Sequence, residues 1–395
     1  MDNVLHQYTV IDFTDRKEIG VTCGTYLALN GFRVIRVEAP CHFELSREDK
    51  CDFTIKNLNK ECISLNIDTD DGKRLFSELL KKADVLIENH PYNYMESLGF
   101  DYDSVKKINP RLIFASIKSY PKESPWRDVK ANPATLSAMG GATFVCGYTG
   151  GEPVCVSTPL AEVSTSAYAA GGVTAALFRR ETDGEGRLVE INGQEAVIAH
   201  GRGAFSTLII RGDNVRVGNW SPNLPDVWPM ELYPTKGTGS DADYVVVGAL
   251  NETMWKDLAR SIGKPELIDD PRFNTWEARY KNIDDLDEII REYTKQYTKL
   301  ELMEFLLKQN RVVCGAVSTV TDLINDETLA KTGTIQEIND PELGQIRVPT
   351  FPAVYHTEEN KVVARSPELA NDRIYRDLLG IQENEYAALI DQNVI

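Results

Sequence analysis

The sequence predicts an α/β protein, with a parallel sheet in a large first domain and a smaller α/β unit after it. Three observations carry this expectation. Short runs rich in Val and Ile recur from Tyr8 to Ile191, the composition of strands buried on both faces. Helical signals separate these runs, and an alternation of strand and helix gives parallel strands covered by helices. The composition then changes after about Gly212, where Pro222, Pro225, Pro229 and Pro234 crowd one stretch.

The elements follow in order. Tyr8–Thr14 is a short β-rich run that ends in polar residues. Gly20–Gly31 is a helix-like stretch of small and apolar residues, and Val34–Glu38 is a second strand closed by Pro40. Cys62–Asn66 is a third strand. Asp70 and Asp71 begin a helix, where their carboxylates suit the N-terminal dipole, and Lys81 and Lys82 suit its other end. Leu75 and Leu79 start its apolar stripe. Val85–Ile87 and Leu112–Ile117 are further buried strands. Ala167–Arg180 reads as a tightly packed helix, Glu181–Arg187 as a Gly-rich turn and Leu188–Ile191 as a strand. Asn219–Pro234 reads as an extended linker because proline fixes φ and lacks a donor. Tyr244–Val247 is a strand, and Asp284–Asn310 is helical, with Leu286, Ile289, Ile290 and Tyr293 at helical spacing. A last strand near Arg347–Pro349 precedes an amphipathic helix around Ile374–Ile381. The expected organisation is a large domain over 1–212, a linker over 213–235, a small domain over 236–325, and a linker with a return to the large domain over 326–395.

Length and charge narrow the function. A chain of 395 residues can bury a sizeable core. With 43 Lys and Arg against 60 Asp and Glu, the formal charge is −17, which argues against nucleic acid and against an anionic membrane surface. Seven cysteines without CxxC spacing predict neither a disulfide framework nor a zinc site, and fit a reducing cytoplasm. The five histidines lack metal-binding spacing. The N-terminus has no basic start followed by an apolar run, so no secretory signal is expected. No GxGxxG follows the first strand, no GxxxxGK[ST] occurs, and no GxSxG elbow appears. Gly140-Gly141 and Gly150-Gly151 read as turns.

Several segments, taken in order, go further. They are Tyr8–Thr14, the run Asn30-Gly-Phe-Arg-Val-Ile-Arg-Val-Glu-Ala-Pro40, Asn59-Lys60 with Ile63–Asn66, Asp84–Asn89, Leu98–Phe100 and Asn109–Ile117. Ala138–Gly141, Gly147, Arg179–Ile191 and Cys314–Val317 continue the series. Together they resemble the family III CoA-transferases, the formyl-CoA transferase and carnitine CoA-transferase family, over nearly the whole chain. The resemblance implies a Rossmann-like large domain, a smaller domain set within it in sequence, and an interlocked dimer. It also implies acyl-CoA and carboxylic-acid substrates, with no tightly bound cofactor and no metal. In the implied mechanism a carboxylate attacks the acyl-CoA thioester to give a mixed anhydride. CoA thiolate then forms an enzyme thioester, which the acceptor acid attacks. Only an acid can form both intermediates and be regenerated.

The same resemblance implies site residues. Glu162 stands where the family nucleophile, an aspartate, is expected, in the small-residue segment Ser157–Ser166. A helix-opening acid favoured by the dipole is the alternative for Glu162. Asn89, Leu65 and Lys130 match family contacts to CoA, and Lys17 stands where a glutamine near the thioester is often found. Three family cations are absent: Ala39, Asp68 and Ser97 occupy their places. Two readings follow within the family. One is a CoA-transferase, homodimeric, that uses Glu162. The other is the non-catalytic subunit of a heteromer such as benzylsuccinate CoA-transferase. Some relatives are acyl-CoA racemases that move a proton with an acid and a histidine, for which His90 and His200 are the candidates here. Trp126, Phe144, Tyr148, Trp220 and Trp228 could line an acyl pocket or simply fill the core.

Overall fold

The computed structural model describes residues 4–40, 50–147, 151–212, 214, 229–240, 242–309, 312–352, 362–364 and 369–395. Six strands form a parallel sheet in the order β3-β2-β1-β4-β5-β6. They are β1 (Thr9–Phe13), β2 (Arg33–Glu38), β3 (Lys60–Ser64), β4 (Val85–Glu88), β5 (Ile113–Lys118) and β6 (Leu188–Asn192). The order reverses between β1 and β4, and in doubly wound sheets that switch point, at the carboxyl ends of the strands, is where ligands bind.

Alternate strand residues feed two cores. Ile11, Ile35, Ile63, Leu86 and Phe114 face one side and pack with Leu75, Phe76, Leu79 and Leu80 of helix α2 (Asp70–Lys82). Thr69 caps this helix by accepting from the Gly72 N–H. Val10, Val34, Val85, Ile113 and Ala115 face the other side. There they meet Cys23 and Leu27 of α1 (Cys23–Leu29) and Ala169, Val173 and Leu177 of α3 (Leu160–Asp183). The C-terminal segment closes the first core: the Asn66 N–H donates to the Val394 carbonyl at 2.7 Å, and the Tyr375 hydroxyl to the Ser64 carbonyl at 2.6 Å.

By backbone contacts the chain divides into two compact units. The first holds the described residues within Met1–Ala142, Cys155–His200 and Glu327–Ile395; the second holds those within Thr143–Val154 and Gly201–Asp326. In the second, β7 (Met230–Pro234), β8 (Tyr244–Gly248) and β9 (Val313–Ala316) form an antiparallel sheet. It packs on Trp255, Leu258, Leu286, Ile290 and Leu302. Strands β10 (Ile335–Asp340) and β11 (Gly344–Pro349) make an antiparallel pair in the first unit. Among the described residues no helix is long and apolar enough to cross a membrane.

Four elements differ from the sequence reading. Helix α3 starts at Leu160 and not Ala167, because Ser164 and Thr165 return their hydroxyls to the carbonyls four residues back and so do not break it. It also runs on to Asp183, and Gly184, at φ +77°, ends it. Met230–Pro234, read as linker, is a strand that pairs with β8; the preceding residues 215–228 lie outside the described ones. The helical run from Asp284 is interrupted. It ends at Thr294, and Thr298 starts a new helix with a capping box to Glu301. The terminal helix splits into a π-helical Asp372–Leu378 and α4 (Glu383–Asp391), with Gly380 at φ +76° between them.

Candidate active site

Glu162 sits in the first turn of α3, where the positive end of the helix dipole favours a carboxylate. The loop after β1 comes to meet it. Gly20, at φ +87°, donates its backbone N–H to Glu162 Oε2 at 2.6 Å. A side chain at that position would also run into Ile117. Thr22, which precedes α1, donates its N–H and its hydroxyl to Oε1, both at 2.9 Å. Ser166, one turn along α3, adds a contact to Oε1 at 3.1 Å. Two helix N-termini therefore converge on one half-buried carboxylate.

Asn89, at the end of β4, fixes the other end of this loop. Its Nδ2 donates to the carbonyls of Asp15 at 2.9 Å and Ile19 at 3.0 Å, and its Oδ1 accepts from the Asp15 N–H at 2.5 Å. The amide is buried, and its two protons and its oxygen are all spent on the loop that presents Gly20.

Behind the loop lies a buried ionic network. Asp12 accepts from Arg36 at 2.8 Å, from Lys60 at 2.9 Å and from Thr14 at 2.7 Å. Arg36 also donates to Glu38 through two nitrogens, at 2.9 and 2.8 Å. The register explains the pairing, since Asp12 lies beside Arg36 across β1 and β2. Burial pushes the Asp12 carboxyl up, but the Lys60 ammonium and Arg36 guanidinium outweigh it and hold the group well below the usual carboxylate range. Gly24 of α1 packs directly on this carboxylate, and a Cβ there would overlap it. Burial, aided by Asp12, pushes the neighbouring Cys23 thiol far up, so it is no nucleophile.

A shallow, open cleft lies beside the same loop. Its lining includes Glu18, Asn89, His90, Lys118, Arg127 and Lys130. Lys118 is held by both oxygens of Glu88, at 2.7 and 2.8 Å, and Arg127 pairs with Asp128 at 3.1 Å. Burial raises Glu18, and Asp15 adds to that rise while Lys130 and Lys118 oppose it. His90 stacks on Tyr94 with ring centres 4.4 Å apart. Burial, together with the nearby Lys118 ammonium, lowers its pKa to about 4, so the ring is neutral near pH 7. The described residues hold no cluster suited to a metal ion.

The structure brings some sequence-predicted residues together and separates others. Asn89 and Lys130 share the cleft, and Asn89 tethers the loop that holds Glu162. Lys17 is exposed and lies outside the cleft lining; its N–H donates to Asp15 Oδ1 at 2.9 Å. Leu65 is buried in the core, and its N–H donates to the Glu38 carbonyl at 2.8 Å. Asp68 and Ser97 are exposed, and Ala39 is half-buried. His200 is exposed, with Tyr168 at 5.8 Å as its ring neighbour. Trp126 and Phe144 are exposed, whereas Tyr148, Trp220 and Trp228 lie outside the described residues. Sequence reasoning missed Gly20, Thr22 and Ser166. A polar loop after the first strand of a doubly wound sheet is the one signal that could have pointed to the first two.

Comparison with known proteins decides the family. The model of "CoA-transferase family III" matches residues 5–373. The chain belongs to family III of the CoA-transferases. Among curated members it is 31% identical to a formyl-CoA:oxalate CoA-transferase of Streptomyces avermitilis, over the full length of both chains. It is 28% identical, again over both full lengths, to the formyl-CoA:oxalate CoA-transferase of Shigella boydii. Among solved structures, a CaiB/BaiF family protein from Brucella suis superposes with a TM-score of 0.82 at 25% identity, over 96% of this chain and 100% of the other. The chain is thus an enzyme of this family, with the family's α/β fold, and its substrates are CoA thioesters.

Proposed function

We propose that this chain moves CoA from an acyl-CoA to a carboxylic acid with Glu162 as the nucleophile. The observation that carries the reading is the pair of backbone donors, Gly20 and Thr22, aimed at the Glu162 carboxylate from the switch point of the sheet. In the first step a Glu162 oxygen attacks the thioester carbonyl. The C–S bond breaks, CoA leaves as thiolate, and a mixed anhydride remains. The thiolate attacks the glutamyl carbon and expels the donor acid, leaving a glutamyl-CoA thioester. The acceptor carboxylate then attacks that carbon and expels the thiolate, which leaves a second mixed anhydride. The thiolate attacks the acceptor's acyl carbon, the bond from that carbon to the bridging oxygen breaks, and acceptor-CoA and the Glu162 carboxylate are released. Backbone N–H groups suit this chemistry because they stabilise the oxyanion without reorganising. Formyl-CoA and oxalate, named for the Streptomyces avermitilis and Shigella boydii relatives, are the first pair to assay.

The cleft lined by Asn89, Lys118, Arg127 and Lys130 would take the CoA, with the exposed Lys130 as the cation for its phosphates, since Glu88 holds Lys118 and Asp128 pairs with Arg127. Lys17 and Leu65 would contribute through the loop and the third strand. The family's dimer is supported separately in each unit: Phe178 is 80% exposed in the first, and Ile209 and Ile210 are 82% and 81% exposed in the second. Large apolar residues so exposed mark an interface. The odd cysteine count without CxxC spacing supports a reducing cytoplasm.

A second reading has its own observation. Four hydrogen-bond contacts hold Glu162, and a carboxylate so held could serve only to join α1 to α3, in a subunit that supports a catalytic sister chain. Exchange by the purified chain separates the two. Activity with only this chain present, abolished by Glu162→Gln, is expected. Activity that requires a second, homologous chain would establish the supporting role.

A further inference from the structure

The two oxygens of Glu162 are held unequally, and two hydroxyls make the difference. In α3 the hydroxyls of Ser164, Thr165 and Thr174 each return to the carbonyl four residues earlier, at 2.6, 2.5 and 2.8 Å. That is the usual outlet for a helical Ser or Thr. Ser166, though fully buried, turns to Glu162 Oε1 at 3.1 Å. Thr22 Oγ1 lies 2.9 Å from the same Oε1 and 2.8 Å from Ser166 Oγ. With the Thr22 N–H at 2.9 Å, three donors converge on Oε1. Oε2 has the Gly20 N–H at 2.6 Å.

The proton count sharpens this. Oε1, Thr22 Oγ1 and Ser166 Oγ form a triangle with three edges and two hydroxyl protons. An ionised acid only accepts, so when Glu162 carries its charge both protons can point at Oε1. That oxygen is then saturated, whereas Oε2 keeps a lone pair for bond formation. Tyr26 adjoins the group. Burial raises its phenol, hydrogen bonding with Thr22 opposes that rise, and the charge of Glu162 adds to it.

We propose that Thr22 and Ser166 are positioning residues that assign the two oxygens their roles. They hold Oε1 as the carbonyl oxygen of the covalent intermediates and leave Oε2 to attack. The inference rests on Glu162 as the nucleophile. Oε2 bonds to the acyl carbon, the C–S bond breaks, and the electron pair leaves on sulfur. Oε1 becomes a neutral carbonyl oxygen, so one hydroxyl proton is free to swing to the other edge of the triangle. When the CoA thiolate attacks the glutamyl carbon, the charge returns to Oε1, where two hydroxyls and an N–H already wait. The bond from the glutamyl carbon to Oε2 then breaks and the donor acid leaves with that oxygen. No proton enters or leaves, and each turnover replaces one oxygen of Glu162 by one from the acceptor.

The test uses Thr22→Val, which keeps shape and the backbone N–H, Ser166→Ala, Thr22→Ser and Glu162→Gln, each checked for an unchanged melting profile. For the first two, kcat for CoA exchange should fall by roughly 10²-fold, as for a lost oxyanion donor, with KM for the acyl-CoA little changed. Thr22→Ser should restore kcat. The double variant Thr22→Val/Ser166→Ala should lose less than the product of the single losses, because the hydroxyls share one oxygen. Single-turnover trapping should show slowed formation of the glutamyl-CoA thioester. Thr22→Val and Ser166→Ala within twofold of wild type, beside an inactive Glu162→Gln, would overturn the positioning role alone. An active Glu162→Gln would overturn the nucleophile itself. If Thr22→Val does not fold, Ser166→Ala and Thr22→Ser still decide: full activity in Ser166→Ala overturns the role of Ser166.

Discussion

Shortening Glu162 to Asp should cost about 10²-fold in exchange rate, even though aspartate is the acid that the family resemblance implies. The substitution removes one methylene and draws the carboxylate back by about 1.5 Å, one carbon–carbon bond. The contacts to Gly20 and Thr22, now 2.6 and 2.9 Å, would open to about 4 Å, beyond the roughly 3.2 Å limit of a good hydrogen bond. Helix α3 cannot move forward to compensate, because Ala161, Ser164, Thr165 and Ser166 around Glu162 are buried. A misplacement of about 1 Å costs on the order of 10²-fold in rate. The assay is steady-state exchange between formyl-CoA and oxalate, with the melting temperature measured on the same samples. The expected result is a folded variant with a much reduced kcat and a KM near that of wild type. A folded Glu162→Asp enzyme at or above the wild-type rate would refute the claim that this loop is built to the length of glutamate.

Three further outcomes are expected. Lys60→Met leaves Asp12 with one cation that Glu38 already shares, and breaking such a buried pair costs about 3–5 kcal/mol. A melting temperature lowered by roughly 6–20 °C should follow for a unit of this size. The depressed Asp12 pKa contributes stability that is present above about pH 4 and lost below it. Without Lys60 that pKa rises, so the gap between variant and wild type should narrow as pH falls below about 4, where the variant's Asp12 takes up a proton before the wild type's does; a gap that widens there contradicts the network. Asn89→Ala frees the segment from Asp15 to Ile19, so kcat should fall about tenfold while KM for acyl-CoA changes little; a loss confined to KM would make Asn89 a CoA contact instead. In the second unit, burial pushes the Asp287 carboxyl up to about 6 against the Tyr233 hydroxyl at 2.7 Å, with Glu231 adding to the rise and Arg291 opposing it. A raised carboxyl pKa makes the fold lose stability as pH climbs from about 4 to 6. Asp287→Asn should therefore gain on wild type in melting temperature across that window, and an unchanged difference would refute the assignment.

The parallel sheet was legible because its central strands read as Val- and Ile-rich runs, and being buried on both faces removes the ambiguity of alternation. Glu162 drew attention because Ser157–Ser166 falls where the family resemblance places the nucleophile, with glutamate in place of the expected aspartate. Its surroundings were not. Gly20 and Thr22 lie about 140 residues away in sequence, and only the folded loop brings their N–H groups to the carboxylate. The Asp12, Arg36 and Lys60 network was hidden for a similar reason: the three charges lie in separate strands, where register sets Asp12 beside Arg36 and the Lys60 side chain reaches Asp12 across the strand between them. The start of α3 was set too late because Ser157–Ser166 is rich in residues that favour caps and turns, and their hydroxyls bond back along the helix instead. Strand β7 was read as linker because prolines dominate its approach, while its own Met230–Pro234 alternates in burial against β8.

The central claim is that Glu162 forms a covalent bond with substrate. The chain purified alone should be incubated with formyl-CoA, quenched, digested and examined by mass spectrometry. CoA or a formyl group carried on the Glu162 peptide, and absent from Glu162→Gln, is the result this account predicts. An unlabelled Glu162 peptide while exchange proceeds, or label appearing only on a co-purifying homologous chain, would contradict it.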